Sequence, residues 1–400
     1  MVAMHSRNVP ALRLEGFDGA WDAKPFSEMV ERSTLMPAEP SLPRVEYEDI
    51  VSGAGVLNKN LRFKESIKTG IYFQPGDVLY GKLRPYLKNW LLATFEGLAV
   101  GDFWVLRPEN TDSRYLYSLI QTNAFVDVAS VSSGSKMPRA DWRLVSGAAF
   151  NTPPTLEEQQ AIGAIFTNLD DAINQHTKKH QALQQAKTAL MQRMFPQEGQ
   201  TVPELRLEGF DGEWESTTVD AVANVVGGGT PSTSNPSFWD GDIDWYSPNE
   251  VGSDIVAKPS NRRITSEGLH ASSAQLLPAH RTILYTSRAS IGHTAILEHP
   301  ATTNQGFQSL VLRSGMDTHF VYSLTPLITR KAIKIASGST FLEISAKALG
   351  SIEIPIPPTL EEQQAIGAVF TRLDTLIAAE AKYIESLKQT KTALLQQMFI

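Results

Sequence analysis

The chain has 400 residues, 42% of them hydrophobic and 20% charged, with 36 Lys+Arg against 43 Asp+Glu and no Cys. That is material for two or more domains with sizeable cores, and it excludes disorder as the main state, any disulfide framework, any thiolate metal site and a Cys nucleophile. Residues 1–10 lack the apolar stretch of a secretory signal, and no run approaches the roughly 18 apolar residues of a membrane span, so a soluble, cytoplasmic protein is expected.

In chain order, residues 9–21 read VPALRLEGFDGAW. Residues 22–152 follow as short β-rich runs set off by turn signals, with Pro75-Gly76-Asp77 ahead of Val78-Leu79-Tyr80, and Gly101 ahead of Phe103-Trp104-Val105-Leu106. Pro153-Pro154 cannot lie inside a helix, and Thr155 with Glu158 three residues later makes a capping box. Beyond it, apolar residues recur every 3.5 positions, with a seam through Ile162, Leu169, His176, Leu183 and Leu190. Pro196 ends the helix and 196–201 form a linker. Residues 202–214 then read VPELRLEGFDGEW, and residues 215–356 again hold short β-rich runs such as Ile283-Leu284-Tyr285 and Leu310-Val311-Leu312. A second capped helix, 357–400, carries the seam Ile366, Leu373, Glu380, Leu387 and Leu394.

Self-comparison shows a tandem duplication. Residues 153–195 and 357–399 match at 27 of 43 positions at an offset of 204, opening with PPTLEEQQAIGA in both, and the upstream 13-mers match at 11 of 13 positions at an offset of 193. The inserts between share only a weak echo: Leu79-Tyr80 with Leu284-Tyr285, Val105-Leu106-Arg107 with Val311-Leu312-Arg313, and Ser133-Gly134-Ser135 with Ser337-Gly338-Ser339. Two units share a frame and differ in their inserts. Each seam is the other's natural partner, and an antiparallel pair would place the inserts at opposite ends and bring the mid-seam polar residues His176 and Glu380 close.

Signatures of chemistry are scarce. Gly227-Gly228-Gly229-Thr230 lacks the Gly-Lys-Ser/Thr ending of a phosphate loop and reads as a flexible turn. Asn151-Thr152-Pro153-Pro154 reads as a helix entrance. The eight His residues show no His-Glu-x-x-His spacing, and no nucleophile, base and orienting acid assemble from spacing, so no catalytic and no metal site is expected. The net charge of −7 speaks against a basic nucleic-acid footprint, yet the deficit lies mostly in residues 201–356, and basic residues cluster locally. Lys59, Arg62, Lys64 and Lys68 form one group, Lys82, Arg84 and Lys88 a second, and Lys136, Arg139 and Arg143 a third. Arg262-Arg263, Arg288 and Arg330-Lys331-Lys334 follow in the other insert. Alternation puts Lys82 and Arg84 on one strand face. With the amides of Thr302-Thr303-Asn304-Gln305, which can pair with adenine edges, these make a base-reading surface plausible on chemical grounds.

TLEEQQAIGAIFTNLD and TLEEQQAIGAVFTRLD, GGGTPSTSNPSFWDGDIDWYSPNEV, YTSRASIGHTAI, TTNQGFQSLVL and LYGKLRPY resemble segments of the specificity subunit of type I restriction-modification systems. The resemblance covers nearly the whole chain. It implies an α+β protein in which two globular α/β target recognition domains, 1–152 and 202–356, are separated by two long helices, 153–195 and 357–400, forming an antiparallel coiled coil. It further implies a non-catalytic DNA reader: each domain recognises half of a bipartite, asymmetric double-stranded site, and the helices set the spacing and dock two modification (methyltransferase) subunits, through which restriction subunits join. No cofactor is expected in this chain; S-adenosylmethionine, ATP and Mg are expected in the partner subunits, and no membrane is involved. The implied DNA-facing residues are Lys82, Arg84, Ser133, Gly134, Ser135, Lys136 and Arg139 in the first insert, and Ser287, Arg288, Asn304, Gln305, Ser337, Gly338 and Ser339 in the second. Where the second insert has Asn304-Gln305, the first has Ala99-Val100-Gly101-Asp102. The alternatives are a free-standing DNA-binding regulator, which would bind DNA tightly without partners, and a fused methyltransferase or nuclease.

Overall fold

The computed structural model describes residues 8–37, 41–61, 67–131, 137–338 and 342–400. The chain divides into two compact units, the first built from Met1–Thr177 with Lys382–Ile400 and the second from Lys178–Ala381.

The first unit is organised on a four-stranded antiparallel sheet in the order Val30–Ser33, Phe103–Pro108, Val78–Gly81, Trp90–Leu92. Phe103 pairs with Gly81 and Val105 with Leu79. Alternate side chains leave opposite faces of a strand. Phe103, Val105 and Leu79 therefore join one core with Val45 and Phe73, whereas Trp104, Leu106, Val78 and Tyr80 join another with Phe26, Tyr115 and Phe125. A sheet buried on both faces explains why FWVL is apolar without alternation. A three-stranded sheet, Arg44–Val45, Gly97–Ala99 and Ile71–Phe73, lies on one side and the helices Ser113–Leu119 and Asn123–Ser130 contribute to the other core. Asp22–Pro25 pairs with Ala149–Thr152 where the insert leaves and rejoins the frame.

The second unit repeats this plan. Its sheet runs Ala223–Gly227, Gln308–Leu312, Thr282–Tyr285, Thr294–Ile296, all antiparallel. Ile283, Tyr285, Leu310 and Leu312 face one core, and Leu284 and Val311 the other. The echo between the inserts thus marks equivalent strands. A three-stranded sheet of Arg262–Ile264, Trp239–Tyr246 and Ala301–Thr303 is added, with Arg262 3.5 Å from the Trp239 ring centroid.

The duplicated frame is now explained. The long helices, Leu156–Met194 and Leu360–Met398, each have 39 residues. At their starts Thr155 and Thr359 accept the amides of Glu158 and Glu362, both at 3.2 Å. Only half of the expected capping box forms, because the two carboxylates are taken by the upstream 13-mers. Arg13 grips buried Glu158 through two hydrogen bonds of 2.8 Å, and Trp21 Nε1 adds one at 3.2 Å; Arg206 grips Glu362 at 2.8 and 2.7 Å. A bidentate guanidinium–carboxylate pair outcompetes a neutral backbone amide for those oxygens.

Each unit also contains the end of the other long helix. Leu12 N donates to Gln397 O and Leu205 N to Arg193 O, both at 2.9 Å. Phe399 packs among Trp21, Tyr115 and Phe166 in the first unit, and Phe195 among Trp214, Phe320 and Phe370 in the second. A helix start lying antiparallel to a helix end is fixed in register by repeat-related ion pairs, Lys391–Asp170 at 2.6 Å and Lys187–Asp374 at 2.5 Å. Along the seam Ile162, Ile173, Ile366 and Ile384 are buried; Leu169, Leu183, Leu190, Leu373, Leu387 and Leu394 are half-buried. His176 meets the Tyr383 ring edge-on at 4.6 Å, and Glu380 is buried in an ion pair with Lys179.

Candidate nucleic-acid interface

In both units the hairpin after the Leu-Tyr pair that the inserts share and the connection that follows the nearby helices come together at one end of the sheet. In the first unit Lys82 N donates to Asp102 O at 2.9 Å, and Lys82 O accepts from Ala140 N at 2.8 Å. In the second, Ser287 N donates to Gly306 O at 2.8 Å and Ser287 O accepts from Ile344 N at 2.9 Å. One residue further, Leu83 bridges Arg139 and Arg288 bridges Glu343. Two further on, Arg84 and Ala289 both take the left-handed conformation, at φ 51° and 62°. The two inserts therefore present equivalent loop clusters built from the segments that the sequence singled out.

The strand ends at Gly81, so Lys82 and Arg84 do not alternate on a strand face as expected. The cause is Arg84, whose left-handed backbone starts a tight turn at Pro85. Lys82 Nζ lies 3.6 Å and Arg139 Nη2 3.0 Å from the same carboxylate, Asp102, gathering two of the expected cations at one point. Tyr47 ties that corner together, its hydroxyl donating to Asp102 O at 2.6 Å and accepting from Leu83 N at 3.0 Å. Burial holds this phenol protonated, well above its usual pKa. Ser133, Gly134, Ser135, Lys136 and Ser339, and the cluster members Arg62 and Lys64, lie outside the described residues.

In the second unit Gln305 is exposed, and its Oε1 accepts from the Thr230 hydroxyl at 2.6 Å. Asn304 instead spends its Oδ1 on Gly306 N at 2.8 Å, holding the loop. Arg288 is half-buried, whereas Ser287 is fully buried and its hydroxyl has no hydrogen-bond partner among the described residues. Ser337 exchanges backbone hydrogen bonds of 3.0 and 2.8 Å with Glu343, and Gly338 sits at φ 141°. Gly227-Gly228-Gly229-Thr230 is not the flexible turn expected. Gly229 N donates to Thr303 O and Gly229 O accepts from Trp245 Nε1, both at 2.8 Å. A Cβ on Gly228 would overlap the carbonyl oxygens of Thr303 and Asn304. These glycines permit close approach of two backbones and so position Thr230 against Gln305.

The remaining basic clusters divide. Lys59 and Lys68 pair with Asp49 and Glu46 at 2.7 and 2.6 Å, Arg263 with Asp244 at 3.1 Å, and Lys331 donates to Glu353 O at 2.8 Å. The sequence does not single out Tyr86, which lies within LYGKLRPY and is 58% exposed at the hairpin tip. Nor does it single out Thr230, whose signal was proximity to a glycine run. Among the described residues no group of three or more His, Asp or Glu is placed to hold a metal ion, and no helix is long and apolar enough to cross a membrane.

Comparison with known proteins bears on the family and the fold. Residues 55–185 and 211–389 match the family described as type I restriction modification DNA specificity domain. The chain is 35% identical over 192 residues to the type I restriction enzyme MjaIX specificity subunit of Methanocaldococcus jannaschii, covering 47% of this chain and 44% of that protein. It is 32% identical over 173 residues to the EcoR124I/EcoR124II specificity subunit of Escherichia coli, covering 42% of each. The matched stretch spans less than half the length of either relative. The crystal structure of a type I restriction-modification system S subunit from M. genitalium superposes with a TM-score of 0.67 at 15% identity, covering 98% of this chain and 99% of that one, which shows a shared fold. With both of its repeats matched, the chain belongs to the type I restriction modification DNA specificity domain family.

Proposed function

We propose that this chain is the DNA-reading specificity subunit of a type I restriction-modification complex, each unit recognising one half of a bipartite, asymmetric site. The observation that carries this reading is the pair of equivalent loop clusters with different side chains, Lys82, Arg84 and Arg139 on one and Arg288, Gln305 and Thr230 on the other. Equivalent backbone junctions at Lys82 and Ser287 would bring both sets of side chains to the same end of their sheets, although the side chains themselves stand at different positions of the loops. Different groups then select different bases, since guanidinium groups favour guanine and amides adenine in the major groove. The identical frame would present the same docking surface twice, to two modification subunits. On this reading those subunits carry S-adenosylmethionine and methylate the site, restriction subunits bring ATP- and Mg-dependent cleavage, and this chain performs no chemistry. The helix pair would act as a spacer: 39 residues at about 1.5 Å each give roughly 58 Å.

The test is an exchange. Residues 22–152 are replaced by the corresponding insert of another such subunit, the chimera is expressed with the modification partner, and methylated sites are mapped. One half-site is expected to change, while the other half-site and the gap stay. A change in both halves would refute the division of reading between the units. Lengthening both helices together by four residues near Leu183 and Leu387 is expected to widen the gap by at most about two base pairs, from roughly 6 Å of added rise.

A further inference from the structure

The two hairpins start alike, with Arg84 and Ala289 both left-handed, but treat their apolar residue in opposite ways. Counting from the tyrosines that end the Leu-Tyr pairs, Tyr86 stands six residues after Tyr80, as Ile291 does after Tyr285. Ile291 is half-buried and packs on the second unit's own core. Tyr86 is 58% exposed and the adjoining Leu87 38%. The exposed aromatic does not sit on a loose loop. Pro85 is buried, and residues 85–87 form one 3-10 turn bracketed by left-handed Arg84 and Lys88, at φ 51° and 55°. Leu87 N donates to Arg84 O at 2.8 Å, Lys88 N to Pro85 O at 2.9 Å, Arg84 N to Pro138 O at 2.8 Å and Gly53 N to Lys88 O at 2.9 Å. Two non-glycine residues in a conformation that L side chains rarely adopt, on either side of an outward aromatic, mark a tip whose shape is imposed by its surroundings.

Charge identifies what the tip meets. Arg84 and Lys88 flank Tyr86 within the same turn, with Lys82 and Arg139 at its base. Against these four cations stands Asp102, which pairs with Lys82 and Arg139. An aromatic held rigidly among cations is complementary to a polyanion with stackable faces, which is what duplex DNA offers at a base step. We infer that Tyr86 is a wedge that inserts at a base step of the half-site read by the first unit, with Lys88 holding a flanking phosphate beside the bases that Arg84 reads, and that the second unit reads its half-site without one. The inference rests on the DNA-reading function proposed above. The two halves of the site would then be distinguished by mode as well as by sequence, one through the energy of opening a step and the other through polar contacts at Gln305 and Arg288.

The test uses the chain assembled with its modification subunits and duplexes carrying 2-aminopurine at successive positions of the mapped site. In the wild-type complex, fluorescence is expected to rise at one step of the first unit's half-site. The rise should disappear in Tyr86→Ala with roughly tenfold weaker binding, as expected for one lost aromatic–base contact, and should persist in Tyr86→Phe. Unchanged affinity in Tyr86→Ala, or a fluorescence rise that survives in it and so belongs to the partner subunits, would overturn the wedge while leaving the DNA-reading function intact. Absence of site-specific binding by the wild-type complex would overturn that function and the wedge with it.

Discussion

Phe399 lies at the end of the second long helix, 243 residues beyond Leu156 where the first begins, yet it belongs to the first unit. It is 8% exposed, stacks on Tyr115 at 5.4 Å, and meets Trp21 and Phe166 at 6.4 and 5.8 Å. Phe399→Ala removes a buried ring from an aromatic cluster that cannot close over the space, and costs about 3–5 kcal/mol. For a unit of this size, each kcal/mol lowers the melting temperature by about 2–4 °C, so the first unit should melt about 10 °C earlier. The measurement is peptide-resolved hydrogen exchange. Strands Val78–Gly81 and Phe103–Pro108 should lose protection, whereas Thr282–Tyr285 and Gln308–Leu312, in the unit where that helix starts, should keep theirs. Phe195→Ala should give the mirror image. Protection lost from the second unit in Phe399→Ala, or lost equally from both, would refute the assignment of each helix end to the unit opposite its start.

Other substitutions probe the frame and the loops. Arg13→Met strands the buried carboxylate of Glu158 and is expected to cost about 3–5 kcal/mol in urea denaturation; Glu158→Gln, which keeps hydrogen bonds but not the charge, about 1–3 kcal/mol. Burial pushes the Asp170 carboxyl above the usual carboxylate range, and Lys391 pulls it back in part. A carboxyl with a raised folded pKa contributes stability that is fully present below its unfolded pKa and lost as pH rises through the folded value. Asp170→Asn should therefore remove a fall in stability just above the normal carboxylate range, read from denaturation midpoints at stepped pH. Gly228→Ala forces a methyl into the Thr303 and Asn304 carbonyls and is expected to cost about 1–3 kcal/mol and to weaken recognition of the second unit's half-site alone, seen by binding to singly altered duplexes. The isolated chain, at net charge −7, should bind DNA weakly, and nanomolar selective binding at physiological salt without partners would contradict the proposed division of labour.

The duplicated frame was legible because repetition amplifies local signals. The proline stop, the Thr caps and the heptad seam each appear twice at a fixed offset. What the sequence hid were pairings between distant residues. Glu158 looks like a capping residue because Thr155 is three positions away, but its partner Arg13 lies 145 positions upstream. The 13-mers were visible as a repeat while their task, strapping a helix start to a helix end, depends on contacts that no local period records. At the loops, residue type pointed to the right segments and misjudged their geometry. Lys82 and Arg84 follow an alternating pattern that Arg84 breaks by turning left-handed, and the glycine run looked mobile because a sequence does not show the backbone pressed against it. Tyr86 carries no mark in the sequence, because exposure is a property of the folded turn, not of the residue type.

The crossing of helix ends has a consequence for any chain of half this length. A single repeat, with one strap, one insert and one long helix, lacks the terminal phenylalanine that its own aromatic cluster requires, because its own helix carries that residue away. Two such half-chains could each donate the missing end to the other, as swapped segments complete one another in an exchanged dimer. Such a pair would be symmetric and carry two identical inserts, which under the proposed function would select an inverted-repeat site. Joining the halves through 196–201 preserves the exchange while removing the symmetry, so that each insert can change its sequence without the other having to follow.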